Sequence, residues 1–145
     1  MNIVFDIDGV LADHRHRFKY IEQTPKDWDL YYDLMGVDGV HTPLAETMLQ
    51  MGKSGCLVFL CTGRPQKFRQ RTIQWLDNTG LWDATFRLYM RPEGNFQPNP
   101  DVKETMANVI LREYGGIHMV FEDDTRSVEM WRKYAPIVME VKHGI

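Results

Sequence analysis

The sequence predicts an α/β fold, in which a parallel β-sheet lies between two layers of helices in a three-layer, Rossmann-like arrangement. Two observations lead to this prediction. Five short apolar runs are separated by segments in which apolar residues recur every three or four positions, as they do on one face of a helix. Regular alternation of strand and helix is typical of a parallel sheet with helices on both faces.

The predicted strands are the five apolar runs. They are Ile3–Ile7, Leu57–Leu60, Thr85–Met90, Met119–Phe121 and Ile137–Val141. In open parallel sheets, ligands bind beyond the carboxyl ends of the strands. The polar residues that follow each run are therefore the first candidates for a functional site.

Helices are predicted between the strands. One extends from Pro43 to Met51, a second follows Pro65, a third starts near Pro100 and a fourth near Thr125. Pro65 and Pro100 lie where a first helical turn begins, a position at which proline is tolerated. Glycines mark the far ends of these segments: Gly52, Gly55, Gly80, Gly115 and Gly116.

The length and composition indicate an ordinary folded domain. The chain has 145 residues, of which 43% are hydrophobic and 26% charged, so we expect one domain over residues 1–145. The long excursion at residues 10–42 predicts a small flap, or minimal cap, rather than a second large domain. No apolar run approaches the ~20 residues that cross a bilayer, and no signal-peptide pattern is present. We therefore expect a cytoplasmic protein without a membrane partner.

The cysteines and the net charge exclude some classes of protein. Cys56 and Cys61 would lie ~16 Å apart in a strand, whereas a disulfide needs Cα atoms within about 7 Å. We therefore expect both thiols to be reduced. The formal net charge of −3 argues against a protein that coats a long nucleic acid, which needs many phosphate contacts, but it allows the binding of one strand end or one nucleotide.

Four groups of polar residues are expected to meet at the carboxyl edge of the sheet, because the strands are parallel. They are Asp6 and Asp8 with Gly9, Thr62 with Gly63 and Arg64, Lys103 in the first turn of a helix, and the acidic triplet 122–124. Each group has a use in the transfer of a phosphoryl group.

The chemistry of these groups fits phosphate ester hydrolysis. Asp6 and Asp123 offer the hard carboxylate oxygens that Mg²⁺ prefers, and the cation would allow an anionic substrate to approach. The Asp6 carboxylate is placed to attack phosphorus, and Asp8 to act as general acid and base. Thr62 and the amides after it would bind phosphate at a helix N-terminus, and Lys103 adds a fixed positive charge.

The order DIDGV, CTGR, a helical lysine and EDD resembles the four motifs of the haloacid dehalogenase (HAD) superfamily. The longer segments FDIDGVLADHRHR, VFLCTGRP, LYMRPEGNFQPNPDVKETM and FEDDTRSVEMW resemble the 3′-phosphatase domain of bacteriophage polynucleotide kinases. This resemblance extends from Asn2 to about Val141. It implies a HAD-like fold and a Mg²⁺-dependent phosphatase that removes 3′-terminal phosphates from polynucleotides or nucleotides.

The resemblance also implies a role for individual residues. Asp6 resembles the nucleophile and a metal ligand, Asp8 the acid/base whose backbone carbonyl binds the metal, and Asp123 the principal metal carboxylate. The residues that resemble phosphate and substrate binders are Thr62, Lys103, Arg17, Gly63 and Arg64. Three positions depart from the usual pattern: Glu122 and Asn99 stand where aspartate is common, and Asp124 where arginine is common.

Several alternatives are weighed against this interpretation. A 5′-nucleotidase or a sugar phosphate phosphatase would use the same catalytic residues. A receiver-type signalling domain accepts phosphate on an aspartate after its third strand, where Met90 and Arg91 stand here. A non-catalytic phosphate-binding relative is disfavoured because both Asp6 and Asp8 are present.

Three further segments are interpreted conservatively. Gly52-Lys53-Ser54 suggests a kinase loop, but that motif needs glycine where Thr47 stands, so we predict no kinase activity. His14, Arg15 and His16 are predicted to lie in a solvated loop. The helical spacing of a fourth set predicts a packed face rather than a base-stacking platform: Trp28, Tyr31, Tyr32 and Met35.

Overall fold

The structure is a computed structural model that describes residues 1–143. Its central sheet has the strand order β5-β4-β1-β6-β7, and every neighbouring pair is parallel. A second, two-stranded sheet pairs β2 with β3. In chain order the strands are β1 (Asn2–Phe5), β2 (Ala12–Asp13), β3 (Gly39–Val40), β4 (Leu57–Pro65), β5 (Arg87–Arg91), β6 (Met119–Glu122) and β7 (Ile137–Glu140).

The helices connect these strands in the predicted alternation. They are α1 (Lys19–Glu22), α2 (Trp28–Asp33), α3 (Thr42–Lys53), α4 (Arg69–Asn78), α5 (Asn99–Tyr114) and α6 (Thr125–Trp131). Short 3-10 helices occupy Arg15–Arg17, Leu34–Val37 and Gln66–Phe68. α5 carries Pro100 in its first turn and ends at Gly115, whose φ of 85° is the left-handed conformation that favours glycine. No helix in residues 1–143 has the length and apolar character to cross a membrane.

Two hydrophobic layers hold the helices on the sheet. Ile3 and Phe5 of β1 face one layer, which includes buried residues of α3 and α4, whereas Val4 faces the other, built with α5 and α6. Successive side chains of a strand point to opposite faces of a sheet, so an apolar run without polar interruptions is what a strand buried on both sides requires. The predicted three-layer α/β fold with a parallel sheet is confirmed.

The ends of two strands differ from the sequence-based prediction. β1 ends at Phe5 rather than Ile7, because the Ile7 carbonyl accepts the amides of Val10, Leu11 and Ala12 in a tight turn. β4 continues to Pro65, where it pairs with Arg91 of β5 after a register shift. The prediction that Thr62 lies directly at a helix N-terminus is therefore wrong, since α4 begins only at Arg69 after a 3-10 turn.

Residues 10–42 leave the sheet after β1 and return to it before α3. The antiparallel pairing of Ala12 with Val40 closes this insertion at its base. The insertion packs against α4, and the Trp75 indole N–H donates to the Asp38 carbonyl at 3.0 Å. Tyr31 is buried, as the predicted packed face requires, but Trp28 is 47% exposed, so the face is only partly packed.

Candidate active site

Three carboxylates meet where the central strands β1 and β6 end. Asp6 directly follows β1, and its amide donates to the Phe121 carbonyl at 3.0 Å, which fixes it beside β6. Glu122 ends β6 and Asp123 follows it. One oxygen from each of Asp6, Glu122 and Asp123 lies within 4.8 Å of the others. The sheet therefore brings together acidic residues that are far apart in sequence.

Lys103 supplies a buried positive charge at this cluster. Its Nζ lies 3.2 Å from Oδ1 of Asp6 and 2.7 Å from Oε2 of Glu122, and its side chain is 2% exposed. Burial disfavours the charged ammonium, but the carboxylates of Asp6 and Glu122 outweigh this effect and raise the pKa of Lys103. Lys103 is therefore a fixed cation that touches Asp6.

Glu122 is held on both carboxylate oxygens. Oε2 accepts from Lys103 and from the Trp131 indole N–H at 3.3 Å, while Oε1 accepts the amides of Asp123 at 3.0 Å and Asp124 at 3.2 Å. The Glu122 side chain thus orients the lysine and the loop that carries Asp123. Of the three carboxylates, Asp6 and Asp123 are the better placed to bind an ion.

The carboxylate cluster fits a hard divalent cation. Burial, followed by the charge of Glu122, raises the pKa of Asp6 well above its ordinary value, and the same two causes raise the pKa of Asp123 to about 7. Mg²⁺ takes oxygen ligands and relieves this repulsion. Gly9, with φ of 82°, allows the turn after Asp8 to lie against Asp123, because a Cβ at this position would overlap the Asp123 carboxylate.

Two arginines hold the second aspartate of the DIDG motif. The guanidinium of Arg64 donates to Oδ1 of Asp8 at 2.7 Å and to Oδ2 at 3.0 Å, and Arg17 donates to Oδ1 at 2.8 Å. Both arginine side chains are completely buried, whereas Asp8 is 15% exposed. Burial raises the pKa of Asp8, but the two guanidiniums outweigh it and hold that pKa well below its ordinary value.

Thr62 and Gly63 lie on the extended strand β4, directly before Arg64, which holds Asp8. Thr62 is fully buried, and its hydroxyl oxygen accepts the Arg64 amide at 3.1 Å. Gly63 is partly exposed, and its carbonyl accepts from Nε of Arg91 at 3.0 Å. A side chain at Gly63 would overlap the Asn99 carboxamide, so glycine is required for the start of α5 to approach this strand.

The sequence matches the family described as the polynucleotide kinase PNKP phosphatase domain over residues 1–145. The chain belongs to this family, and it is a phosphatase of the HAD superfamily. No protein of curated function matches it.

Solved structures share the fold of this PNKP-family phosphatase at low sequence identity. A chain of the Pnkp1/Rnl/Hen1 complex superposes with a TM-score of 0.77 at 23% identity, over 99% of this chain and 46% of that one. This chain therefore spans less than half the length of that relative. A predicted phosphatase from Clostridium acetobutylicum has a TM-score of 0.70 at 14% identity, over 95% and 83% of the two chains. The class C acid phosphatase of Bacillus anthracis with tungstate bound has a TM-score of 0.69 at 18% identity, over 87% and 52%.

The buried arginines of this PNKP-family chain differ from the sequence-based expectation. Arg17 and Arg64 were expected to hold substrate phosphate, but both guanidiniums bind Asp8. Their remaining N–H groups donate to other buried groups of the chain. Arg17 also donates to Oδ1 of Asp38 at 2.8 Å and to Oδ2 at 2.6 Å. Direct contact with a phosphate stays a prediction, and it requires a guanidinium to leave Asp8.

Asp38 is the important residue that the sequence analysis missed. Its side chain is completely buried, it binds Arg17 with both oxygens, and it lies 3.5 Å from Nη2 of Arg64. His16 is hydrogen-bonded to Asp38 at 2.7 Å. No local pattern in the sequence marks Asp38, because its role follows from the burial of Arg17 and Arg64, which need a second countercharge besides Asp8.

The basic stretch at residues 14–17 is only partly solvated. Arg15 is exposed, as predicted, and it pairs with Asp13. His14 is half-buried, hydrogen-bonded to the Tyr31 hydroxyl at 2.6 Å, and packed edge-on against Phe18. The predicted solvated loop is therefore wrong for His14, whose pKa is lowered by burial.

Proposed function

We propose that this phosphatase is a Mg²⁺-dependent phosphomonoesterase that forms an aspartyl phosphate on Asp6. One observation carries the proposal: at the end of the central strand, the Asp6 carboxylate lies 3.2 Å from the ammonium of Lys103 and has an oxygen within 4.8 Å of an Asp123 carboxylate oxygen. An attacking carboxylate, a fixed cation and a second hard ligand are the groups that such a reaction needs.

Asp6, Asp123 and the backbone carbonyl of Asp8 would hold the ion. The close approach of Gly9 to Asp123 supports this set, because it brings the loop that carries the Asp8 carbonyl next to the carboxylate. Bound Mg²⁺ would offset the negative charge of the two carboxylates and coordinate a phosphate oxygen. A residue of the chain, Asp8, would carry out the proton transfers.

In the first step an Asp6 oxygen attacks phosphorus, the bond to the ester oxygen breaks, and Asp8 gives that oxygen a proton. In the second step water attacks the aspartyl phosphate, Asp8 takes the proton from the water, and the bond between phosphorus and Asp6 breaks to release inorganic phosphate. Thr62 and Lys103 would stabilise the phosphoryl oxygens.

The contacts of Asp8 keep its carboxylate ionised in the resting protein. Arg17 and Arg64 hold it in the form that can accept a proton from water, and they also lower its proton affinity. The first step needs a protonated Asp8. An arriving phosphate dianion would raise the proton affinity of the carboxylate by charge repulsion, and this supplies the acid form when substrate binds.

We propose a 3′-terminal phosphate of a polynucleotide or nucleotide as the substrate. Membership in the PNKP phosphatase family supports this, as does the likeness to a chain of an assembly described as an RNA repair complex. The small insertion at residues 10–42 would act as the cap and leave the site open to a strand end. Cys56 and Cys61 are both free thiols, which is consistent with the predicted cytoplasmic location.

Initial rates on a panel of phosphate esters test the proposed substrate. The panel contains a 3′-phosphorylated oligonucleotide, its 5′-phosphorylated counterpart, nucleoside 3′- and 5′-monophosphates, and a sugar phosphate. We expect the highest kcat/KM on a 3′-phosphate. A 5′-monophosphate or sugar phosphate preferred by tenfold or more would contradict the 3′ assignment and would favour the 5′-nucleotidase or sugar phosphatase alternative.

A further inference from the structure

A cleft of about 540 Å³ opens between the insertion and the loop at residues 92–98. We call it the aromatic cleft, after four of its lining side chains: Trp28, Tyr32, Phe68 and Phe96. None of these residues belongs to the phosphoryl-transfer site described above. The cleft therefore needs an explanation of its own.

The aromatic cleft adjoins the catalytic edge of the sheet. Its lining includes Pro65, at the end of the strand that carries Thr62, and Arg126, in the first turn of the helix that follows Asp123. Asn99 lines it as well and packs against Gly63. A molecule whose phosphate reaches Asp6 would thus extend naturally into this space.

The exposed rings of the cleft have no role in the hydrophobic core. Phe96 is 93% exposed and Trp28 is 47% exposed. Trp28 stacks on Tyr32 with ring centroids 6.1 Å apart and an interplanar angle of 22°, and Tyr32 in turn lies 5.2 Å from Phe68. The rings of Trp28, Tyr32 and Phe68 thus form one wall of the cleft. Phe96 belongs to the loop at residues 92–98, on the other side. Flat apolar surface left open to water favours a flat ligand.

The loop that carries Phe96 is tied to the catalytic strand. The Arg91 guanidinium donates to the carbonyls of Gly63 at 3.0 Å and Gln97 at 2.6 Å, and to the Asn99 carboxamide oxygen at 2.6 Å. These bonds fix the loop relative to the phosphate-binding residues. A preformed wall lowers the entropic cost of holding a ligand.

The charge and size of the cleft select the kind of ligand. Three basic side chains line it against two acidic ones, although the whole chain carries a net charge of −3. One of the acidic residues, Asp29, is paired with Lys67 at 2.8 Å. Proteins bind single-stranded nucleic acids with this combination of aromatic rings and basic residues, and ~300–1,000 Å³ is the usual volume of a small-molecule site.

We propose that the aromatic cleft binds the nucleobase adjacent to the scissile phosphate of a single-stranded nucleic acid, by stacking on Trp28 and Phe96. The inference rests on the proposed function, because it assigns the part of the substrate that extends away from Asp6. Stacking requires bases that are free of a duplex, so an unpaired end is the preferred ligand.

Binding of a reaction product tests the cleft without catalysis. A fluorescein-labelled single-stranded oligonucleotide with a 3′-hydroxyl is titrated with wild type, Trp28→Leu and Phe96→Ala, and Kd is measured by anisotropy. We expect each variant to bind about 5- to 150-fold more weakly, the factor that corresponds to ~1–3 kcal/mol for one stacked base. KM for the 3′-phosphorylated oligonucleotide should rise, while kcat/KM for acetyl phosphate, which has no ring to stack, stays at the wild-type value.

The control variant is Val37→Ala, because Val37 is an apolar residue of the same insertion, 75% exposed, that does not line the cleft. It should bind like wild type. Phe96→Ala keeps the test valid if Trp28→Leu folds poorly, since a side chain that is 93% exposed has little packing to lose. Thermal unfolding of each variant checks this.

The outcomes separate the cleft from the proposed function. Wild-type Kd in both variants, an equal loss on acetyl phosphate, or tighter binding of a blunt duplex than of the single strand would overturn the inference. If 3′-phosphorylated oligonucleotides are poor substrates and the variants still lose oligonucleotide binding, the proposed function fails and the cleft stands. If 3′-phosphorylated oligonucleotides are good substrates and both variants bind the oligonucleotide normally, the proposed function stands and the role of the cleft fails.

Discussion

Replacement of Asp38 by asparagine isolates the buried charge that supports Asp8. In the wild type two arginines face two aspartates: Arg17 and Arg64 against Asp8 and Asp38. Asparagine keeps the shape of the side chain but leaves one buried cation without its countercharge. Removal of one partner from a buried ion pair typically costs ~3–5 kcal/mol, a large share of the ~5–15 kcal/mol that stabilises a small domain. We expect a loss of this size for Asp38→Asn.

Urea unfolding at neutral pH measures this loss. The matched control is Asp33→Asn, because Asp33 pairs with Arg71 at the surface, where both side chains are about half exposed. Exposed pairs are worth ~0–1 kcal/mol. If Asp38→Asn loses no more stability than Asp33→Asn, the Asp38 carboxylate does not carry the buried cluster and the reasoning is refuted.

The same variant should also change catalysis in a specific way. Without Asp38, the positive charge of Arg17 and Arg64 acts more strongly on Asp8 and lowers its pKa further. Protonation of the leaving group then becomes harder. We expect a larger loss of kcat/KM for an alkyl phosphate than for p-nitrophenyl phosphate, whose leaving group needs no proton. Equal losses would indicate a general structural defect instead.

Three further predictions concern the catalytic carboxylates. Asp6→Asn should abolish turnover, because a neutral amide is a poor nucleophile; wild-type-like rates in a folded variant would exclude the covalent mechanism. Asp8→Asn should lose ~10²–10⁴-fold in kcat/KM on an alkyl phosphate and much less in kcat/KM on an aryl phosphate, because kcat/KM reports the step that breaks the ester bond and not the later hydrolysis of the aspartyl phosphate. EDTA should remove activity and Mg²⁺ restore it, and Asp123→Ala should mimic EDTA more closely than Asp124→Ala. Asp124 accepts from the Ser127 amide and hydroxyl and caps α6, so equal loss of activity in both variants would refute the assignment of Asp123 as the ligand.

The sequence predicted the fold and the acidic centre of the site because both follow from local patterns. Apolar runs mark strands, and polar residues at their ends mark the edge where ligands bind, so Asp6, Lys103 and Asp123 were identified before the structure was known. Their convergence needs only that the strands are parallel. No exact packing is required for that inference.

The remaining features depend on long-range contacts that leave no local pattern. Asp38 matters because it meets Arg17 and Arg64, which come from two different segments of the chain. β4 extends beyond its apolar run because Pro65 pairs with Arg91 of β5. Trp28 shares a helix face with residues that are buried, and only the placement of the loop at residues 92–98 leaves it beside an open cleft.

The central position of β1 has a consequence for how the protein is made. β1 is synthesised before both of its neighbours in the sheet, β4 and β6, and the whole of α5 is made before β6 follows. Until β6 emerges, one edge of β1 has unpaired amides and carbonyls, and its apolar residues lack half of their cover. Such long-range pairing slows folding, and it leaves aggregation-prone intermediates exposed during translation. Asp6, which directly follows β1, therefore meets Lys103, Glu122 and Asp123 only after α5 and β6 have been made, so the acidic cluster is among the last parts of the described fold to form.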